Sequence, residues 1–134
     1  MPEWGDMNWL AILVAVIASQ AIGFLWYSVL FNKMWTAAVG LGPAEMGNPA
    51  PALTVGLLAS IVQAIGLAII IQQLDEQTLA NGVKIGLLAG VAFAASVVVT
   101  NAMFEYRKKA LMWLYSGYQV VSFLAMGLII GAWN

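Results

Sequence analysis

The stretch LANGVKIGLLAGVAFAASVVVTNAM, residues 79–103, decides the fold of this chain. Its only charged residue is Lys84, which lies in the first turns, where a lysine side chain can extend to the membrane surface. A bilayer core needs about 20 predominantly apolar residues in a helix that crosses it. The stretch therefore predicts a membrane-spanning helix.

Three other stretches have the same character, at about residues 8–31, 51–74 and 111–133. Of the 134 residues, 63% are hydrophobic and 8% are charged, against about 25% charged in a soluble domain. So few charges cannot cover the surface of a soluble fold. We therefore predict an all-α integral membrane protein, with one transmembrane four-helix bundle over residues 1–134. Residues 31–39 are predicted to form a short amphipathic helix along the membrane surface.

The composition also restricts the chemistry. The chain has no Cys and no His, so it lacks disulfides, thiolate ligands and the commonest general base and metal ligand. Its net charge is −1, without a long basic run, which makes nucleic acid a poor partner. We predict no catalytic residues, no metal and no cofactor, and we expect that the protein is not an enzyme.

The basic residues predict the orientation. In a four-span chain Lys33, Arg107, Lys108 and Lys109 share one side of the membrane, and only Lys84 lies near the other. Since loops rich in Lys and Arg stay in the cytoplasm, both termini are predicted to lie outside.

Small residues recur at every fourth position of the spans and predict close helix packing, because lipid gives helices no hydrophobic reason to associate. This pattern predicts contacts within the bundle and a homo-oligomer, a dimer or a trimer. The predicted packing residues are Ser19, Gly23, Gly56, Ser60, Gly82, Gly86, Gly90, Gly127 and Gly131.

Polar side chains fall near the middle of several spans. Since lipid satisfies no hydrogen bond, they are expected to point into the bundle or a subunit interface. The predicted polar midplane cluster is Gln20, Gln63, Ser96, Tyr118, Gln119 and Ser122. Two interpretations are open: hydrogen bonds that hold helices together, or the lining of a solute path.

The two halves of the chain resemble each other faintly. Residues 31–33 and 104–107 end the first and third spans in similar ways, and residues 60–63 resemble residues 116–119. One interpretation is a tandem repeat of two-helix hairpins.

Segments near both ends of the chain resemble a bacterial membrane family, the domain of unknown function 1761. The residues that carry the resemblance are Trp26, Tyr27, Phe31, Lys33 and Trp35, then Asn101, Phe104, Glu105, Gly117 and Tyr118. Two positions depart from the family pattern: Val29 stands where Pro is frequent, and Gln119 where His is frequent. The resemblance implies a small four-span protein of the bacterial inner membrane and implies no activity.

Three functions fit this sequence. The first is a structural or interaction subunit that self-associates or docks on a larger membrane protein, with membrane lipids around it. The second is an oligomeric channel or transporter in which the midplane glutamines and serines line a path. The third is an enzyme at lipid headgroups, where Glu105 and the basic residues 107–109 are the candidates.

Overall fold

The structure, a computed structural model, describes residues 7–40, 50–72, 78–105 and 108–133. Within these ranges the chain forms five helices and no strand, so the all-α prediction is confirmed. The helices are α1 (Trp9–Leu30), α2 (Asn32–Val39), α3 (Ala50–Ile71), α4 (Leu79–Phe104) and α5 (Lys109–Ala132). All except α2 are long and apolar enough to cross a membrane. The last two residues of the predicted second span, and Arg107, lie outside the described residues.

The helix boundaries have identifiable local causes. Asn8 accepts a hydrogen bond from the backbone N–H of Ala11 and caps α1, and Thr78 caps α4 by accepting from Asn81. Helix α2 ends at Gly40, which has a φ of 75°. Glycine adopts this left-handed conformation without steric cost.

Helix α5 is the central element. It packs against each of the four other helices, and its most extensive contact is with α4. On the opposite side, α1, α3 and α5 enclose the apolar core of the molecule. The core residues from these three helices include Ile12, Val16, Leu67, Ile71, Phe123, Met126 and Ile130.

Glycines bring α4 and α5 into direct backbone contact. A Cβ atom added to Gly86 would lie 2.5 Å from the carbonyl oxygen of Phe123, and one added to Gly131 would lie 2.6 Å from the Cα of Gly82. A Cβ at Gly90 would lie 3.0 Å from the Cα of Val120. No other residue fits these positions without separating the helices, which explains the glycine spacing of the two spans.

Hydrogen bonds tie three helix ends together on the side of the bundle where α1 begins. The backbone N–H of Asn8 donates to Oε1 of Gln72 at 3.1 Å, and its side-chain amide donates to the carbonyl of Trp133 at 3.1 Å. The start of α1 is therefore fixed to the ends of α3 and α5.

Two of the long helices contain wider π-helical turns, at Leu25–Leu30 in α1 and Ala89–Ala95 in α4. In the first, the N–H of Phe31 donates to the carbonyl of Trp26, five residues earlier. Such turns rotate the side chains that follow them and are frequent at functional positions. The turn in α1 contains Trp26 and Tyr27, two residues of the family signature.

Candidate functional site

Hydroxyl groups from three helices meet at the centre of the bundle. Ser19 of α1 is the hub: its Oγ lies 2.7 Å from Oγ of Ser122, 3.5 Å from Oγ of Ser60 and 3.4 Å from Oη of Tyr118. The Tyr118 hydroxyl also donates to the backbone carbonyl of Ser19 at 3.2 Å. Gln20 joins the group through its Nε2, which donates to Oγ of Ser60 at 2.7 Å. We call these five residues the hydroxyl cluster.

The three serines of the hydroxyl cluster are buried, whereas Gln20 and Tyr118 are half-buried. Ser19, Ser60 and Ser122 are 0%, 4% and 1% exposed, respectively. Each hydroxyl has a partner within the cluster, and Ser60 also donates to the carbonyl of Gly56 at 3.0 Å. The buried serines therefore link α1, α3 and α5 by hydrogen bonds inside the bundle.

Local sequence explains why the hub is a serine. Ser19 follows Ala11 and Ala15 at four-residue spacing, and all three residues are fully buried on one face of α1. The small side chains let α3 and α5 approach this face. The hydroxyl of Ser19 then forms hydrogen bonds with both helices. Ser19 and Ser60 were predicted only as packing residues; their polar role was missed.

The three midplane glutamines do not form one site. Gln20 belongs to the hydroxyl cluster, whereas Gln63 and Gln119 form no hydrogen bond with any described residue. All three are half-buried. The expected partners of the glutamines were one another, nearby serines or tyrosines, or water. Gln20 bonds to a serine, and no bond joins the glutamines to one another.

Ser96 corrects the predicted polar cluster. It is exposed on α4, and its Oγ donates to the carbonyl of Ala92 at 2.6 Å. A serine in a helix can satisfy its hydroxyl on the preceding turn, so a midplane serine has no need to face inward.

Gly56 differs from the other predicted packing glycines. A Cβ there would meet no atom within 4 Å, so Gly56 does not pack against another described helix of its own chain. By contrast, Gly23 and the glycines of α4 and α5 lie against a neighbouring helix.

Aromatic side chains from both ends of the chain gather beside the hydroxyl cluster. The ring of Tyr27 lies 5.7 Å from Trp35, 6.0 Å from Tyr115 and 5.5 Å from Tyr118, in tilted arrangements. Trp26 packs against Phe31 at 4.7 Å. Tilted rings at these distances are the favoured geometry for aromatic pairs. These six residues form what we call the aromatic cluster.

Helices α1 and α5 interlock at this cluster through two aromatic–glycine pairs. Trp26 of α1 lies over Gly117, where an added Cβ would be 2.9 Å from the indole Cζ2. Tyr118 of α5 lies over Gly23, where an added Cβ would be 3.2 Å from the phenol oxygen. The indole N–H of Trp26 also donates to the carbonyl of Leu114 at 3.0 Å. Each helix thus supplies a large side chain and the glycine that accommodates the other.

The other signature residues lie elsewhere. Lys33, Asn101, Phe104 and Glu105 are exposed, and Phe104 is 81% exposed. The family signature therefore contains one group that packs α1 against α5 and another on the surface at the end of α4.

Among the described residues no group of three His, Cys, Asp or Glu side chains comes close enough to hold a metal ion. The side chains that do meet are hydroxyls, one amide and aromatic rings. They form hydrogen bonds and packing contacts, and the two clusters contain no pair of a nucleophile and a general base.

The fold and the two clusters define a small helical membrane protein with four candidate spans, held together by glycine contacts, buried hydroxyls and aromatic–glycine pairs. A family model described as "Protein of unknown function (DUF1761)" matches residues 10–131, nearly the whole chain. The chain belongs to this family. Neither the curated proteins nor the solved structures contain a match to the chain.

Proposed function

We propose that the protein is a structural or interaction subunit of the bacterial inner membrane that associates with copies of itself as a dimer or trimer. The observation that carries the proposal is the burial of the three serines of the hydroxyl cluster. Ser60 and Ser122 are buried and both bond to the buried Ser19, so the three serines connect helices and offer no exposed hydroxyl to a solute. Interhelical hydrogen bonds of this kind stabilise a membrane bundle by about 0.6 kcal/mol each on average.

Two amides support self-association. Gln63 and Gln119 lie in membrane-spanning helices without a hydrogen-bond partner among the described residues. An amide left unsatisfied in hydrocarbon costs several kcal/mol in the worst case. A protein surface that supplies donors and acceptors removes this cost, and lipid chains do not.

The proposal includes the orientation. Lys33, Lys108 and Lys109 are exposed at the ends of helices that share one side of the bundle, and we place this side in the cytoplasm, with both termini outside. We propose no enzymatic role for the exposed Glu105 and Lys109.

The first experiment measures mass. The purified chain is incorporated into lipid nanodiscs, and native mass spectrometry counts the copies per disc when discs are in large excess. Two or three 14.3 kDa chains together in one disc are expected. A single chain per disc at every protein-to-disc ratio contradicts the proposal.

The second experiment measures transport in proteoliposomes. Light scattering after an osmotic shift reports the entry of glycerol, urea and small ions. Rates equal to those of protein-free vesicles are expected. Faster entry of one solute, abolished in Ser122→Leu without loss of helix content, would establish a transport function instead.

A further inference from the structure

One face of α3 has no neighbour among the described residues of its chain. The first ten residues of the helix, 50–59, are all exposed, whereas Ser60, Ala64, Leu67, Ala68 and Ile71 form its buried face. Beside the buried face, six residues follow one another at spacings of four, three, four, three and four. We call them the α3 seam: Ala52, Gly56, Ala59, Gln63, Gly66 and Ile70.

This spacing is the heptad pattern of a helix that packs along its length against a second helix. Each seam position is exposed or half-buried. The buried face of α3 is used within the chain, so the seam is a second packing face on the same helix.

The glycines of the long helices separate into two groups. Seven of them have a neighbouring-helix atom within 3.2 Å of the position of an added Cβ: Gly23, Gly82, Gly86, Gly90, Gly117, Gly127 and Gly131. The two others, Gly56 and Gly66, have nothing within 4 Å, and both belong to the seam. Each of the seven glycines inside the bundle lies against a neighbouring helix. The two seam glycines have no such helix among the described residues.

Gln63 lies between these two glycines and is the only polar residue of the seam. Its amide has no partner among the described residues. An amide carries both donors and an acceptor, so two glutamine side chains can satisfy each other. A single buried amide in a heptad seam is also a known device for fixing the register and number of helices.

Membrane topology restricts which residue faces Gln63 in an assembly. Copies of one chain have the same orientation in the bilayer, so a two-fold axis relating two of them runs along the membrane normal. Each residue then has its equivalent at the same depth. Two α3 helices that meet across this axis are parallel, and Gln63 comes opposite Gln63 of the second copy.

We propose that a second copy of this chain docks on the α3 seam, α3 against α3, with Gly56 and Gly66 at the close contact and the two Gln63 amides hydrogen-bonded to each other. This inference rests on the proposed self-association and specifies its surface. A lipid chain as the occupant would leave the Gln63 amide unsatisfied and would not need the two open glycines.

The chain has no Cys, which allows a direct test in native membranes. Single substitutions Ala59→Cys and Gly66→Cys place a thiol on the seam, and Leu58→Cys places one on the same helix about 100° from its seam neighbour. Oxidation should give severalfold more disulfide-linked dimer with the seam variants than with Leu58→Cys. Equal yields, or most dimer from Leu58→Cys, overturn the proposal.

The amide is tested by association strength in nanodiscs or dilute bilayers. Gln63→Leu removes the paired hydrogen bonds and should weaken dimerisation roughly tenfold. Gly56→Leu should weaken it further by separating the helices, and Ala21→Leu on the exposed surface of α1 is the matched control. Unchanged association in Gln63→Leu and Gly56→Leu overturns the seam.

The outcomes separate the two proposals. A chain that is monomeric in the mass measurement refutes both self-association and the seam. A wild-type oligomer that persists in the seam variants, without seam crosslinks, refutes the seam and leaves self-association intact.

Discussion

Replacing Gly127 by alanine tests how the bundle is held together. The added Cβ would lie 2.8 Å from the Cα and 3.1 Å from the N of Gly86, and closer still to the carbonyl oxygen of Gly82. These are backbone atoms, which cannot rotate away. Ordinary contact begins at 3.4 Å, so α4 and α5 must separate by roughly 0.6 Å or more at this point.

The expected cost follows from that separation. Overpacking of a tight interface costs about 1–3 kcal/mol, and alanine returns about 0.5–1 kcal/mol through its better helix propensity. Gly127→Ala should therefore lower the free energy of unfolding by about 1–2 kcal/mol. Reversible unfolding in mixed micelles, followed by tryptophan fluorescence at concentrations that keep the chain monomeric, measures it.

Gly66→Ala is the matched control, because an added Cβ at Gly66 meets no atom within 4 Å. It should leave the unfolding free energy unchanged or raise it by up to about 1 kcal/mol. If the two variants unfold at the same denaturant concentration, the contact between α4 and α5 is not the tight backbone contact described above.

Three further predictions follow from single side chains. Ser19→Ala removes the central hydroxyl of the hydroxyl cluster and should lower the unfolding free energy by about 1–2 kcal/mol. Ser96→Ala removes a hydroxyl that bonds only within its own helix and should change the unfolding free energy little. Equal losses in the two variants would contradict the role of the cluster. Trp26→Phe keeps a ring but removes the indole donor to α5 and should cost about 1 kcal/mol in the same assay, and an unchanged value would show that the bond contributes nothing. In intact cells, an impermeant maleimide should label Thr78→Cys and should not label Lys33→Cys until the membrane is permeabilised; the opposite pattern would reverse the proposed orientation.

The four long helices could be predicted from the sequence because the signal is local. A span needs only enough consecutive apolar residues, and the predicted third span, 79–103, differs by one residue from the observed helix Leu79–Phe104. The glycines at four-residue spacing in α4 and α5 were also informative, since close backbone approach leaves no alternative residue. The tandem repeat stays a prediction.

The partners of the polar residues could not be predicted. The sequence gives the depth of a residue in its span, but it does not give the direction in which the side chain points. Gln20 and Gln63 fall at similar depth, yet Gln20 bonds to Ser60 and Gln63 bonds to nothing described. Which way a side chain points depends on the neighbours of its helix, and those are set by contacts between distant segments. Ser96 shows a second reason: its own helix satisfies the hydroxyl.

The wider turn at Leu25–Leu30 was also missed. It leaves no periodicity in the sequence, since a single helical turn with bonds to the fifth residue does not change which residues are apolar. The contact of Trp26 with the carbonyl of Leu114, 88 residues further along the chain, is likewise visible only in three dimensions.

Part of the family resemblance lies at this contact between α1 and α5. A membrane bundle gains no hydrophobic free energy when helices meet, so specific association depends on shape and hydrogen bonds. Trp26 over Gly117 and Tyr118 over Gly23 give α1 and α5 a shape that fits in one register. The Tyr118 hydroxyl bonds to Ser19 and so connects these aromatic–glycine contacts to the hydroxyl cluster. Three of the residues that carry the family resemblance, Trp26, Gly117 and Tyr118, take part in this contact between two helices. This contact fixes how α1 and α5 meet in this chain, and the function that we propose depends instead on a surface without a neighbour among the described residues, the α3 seam.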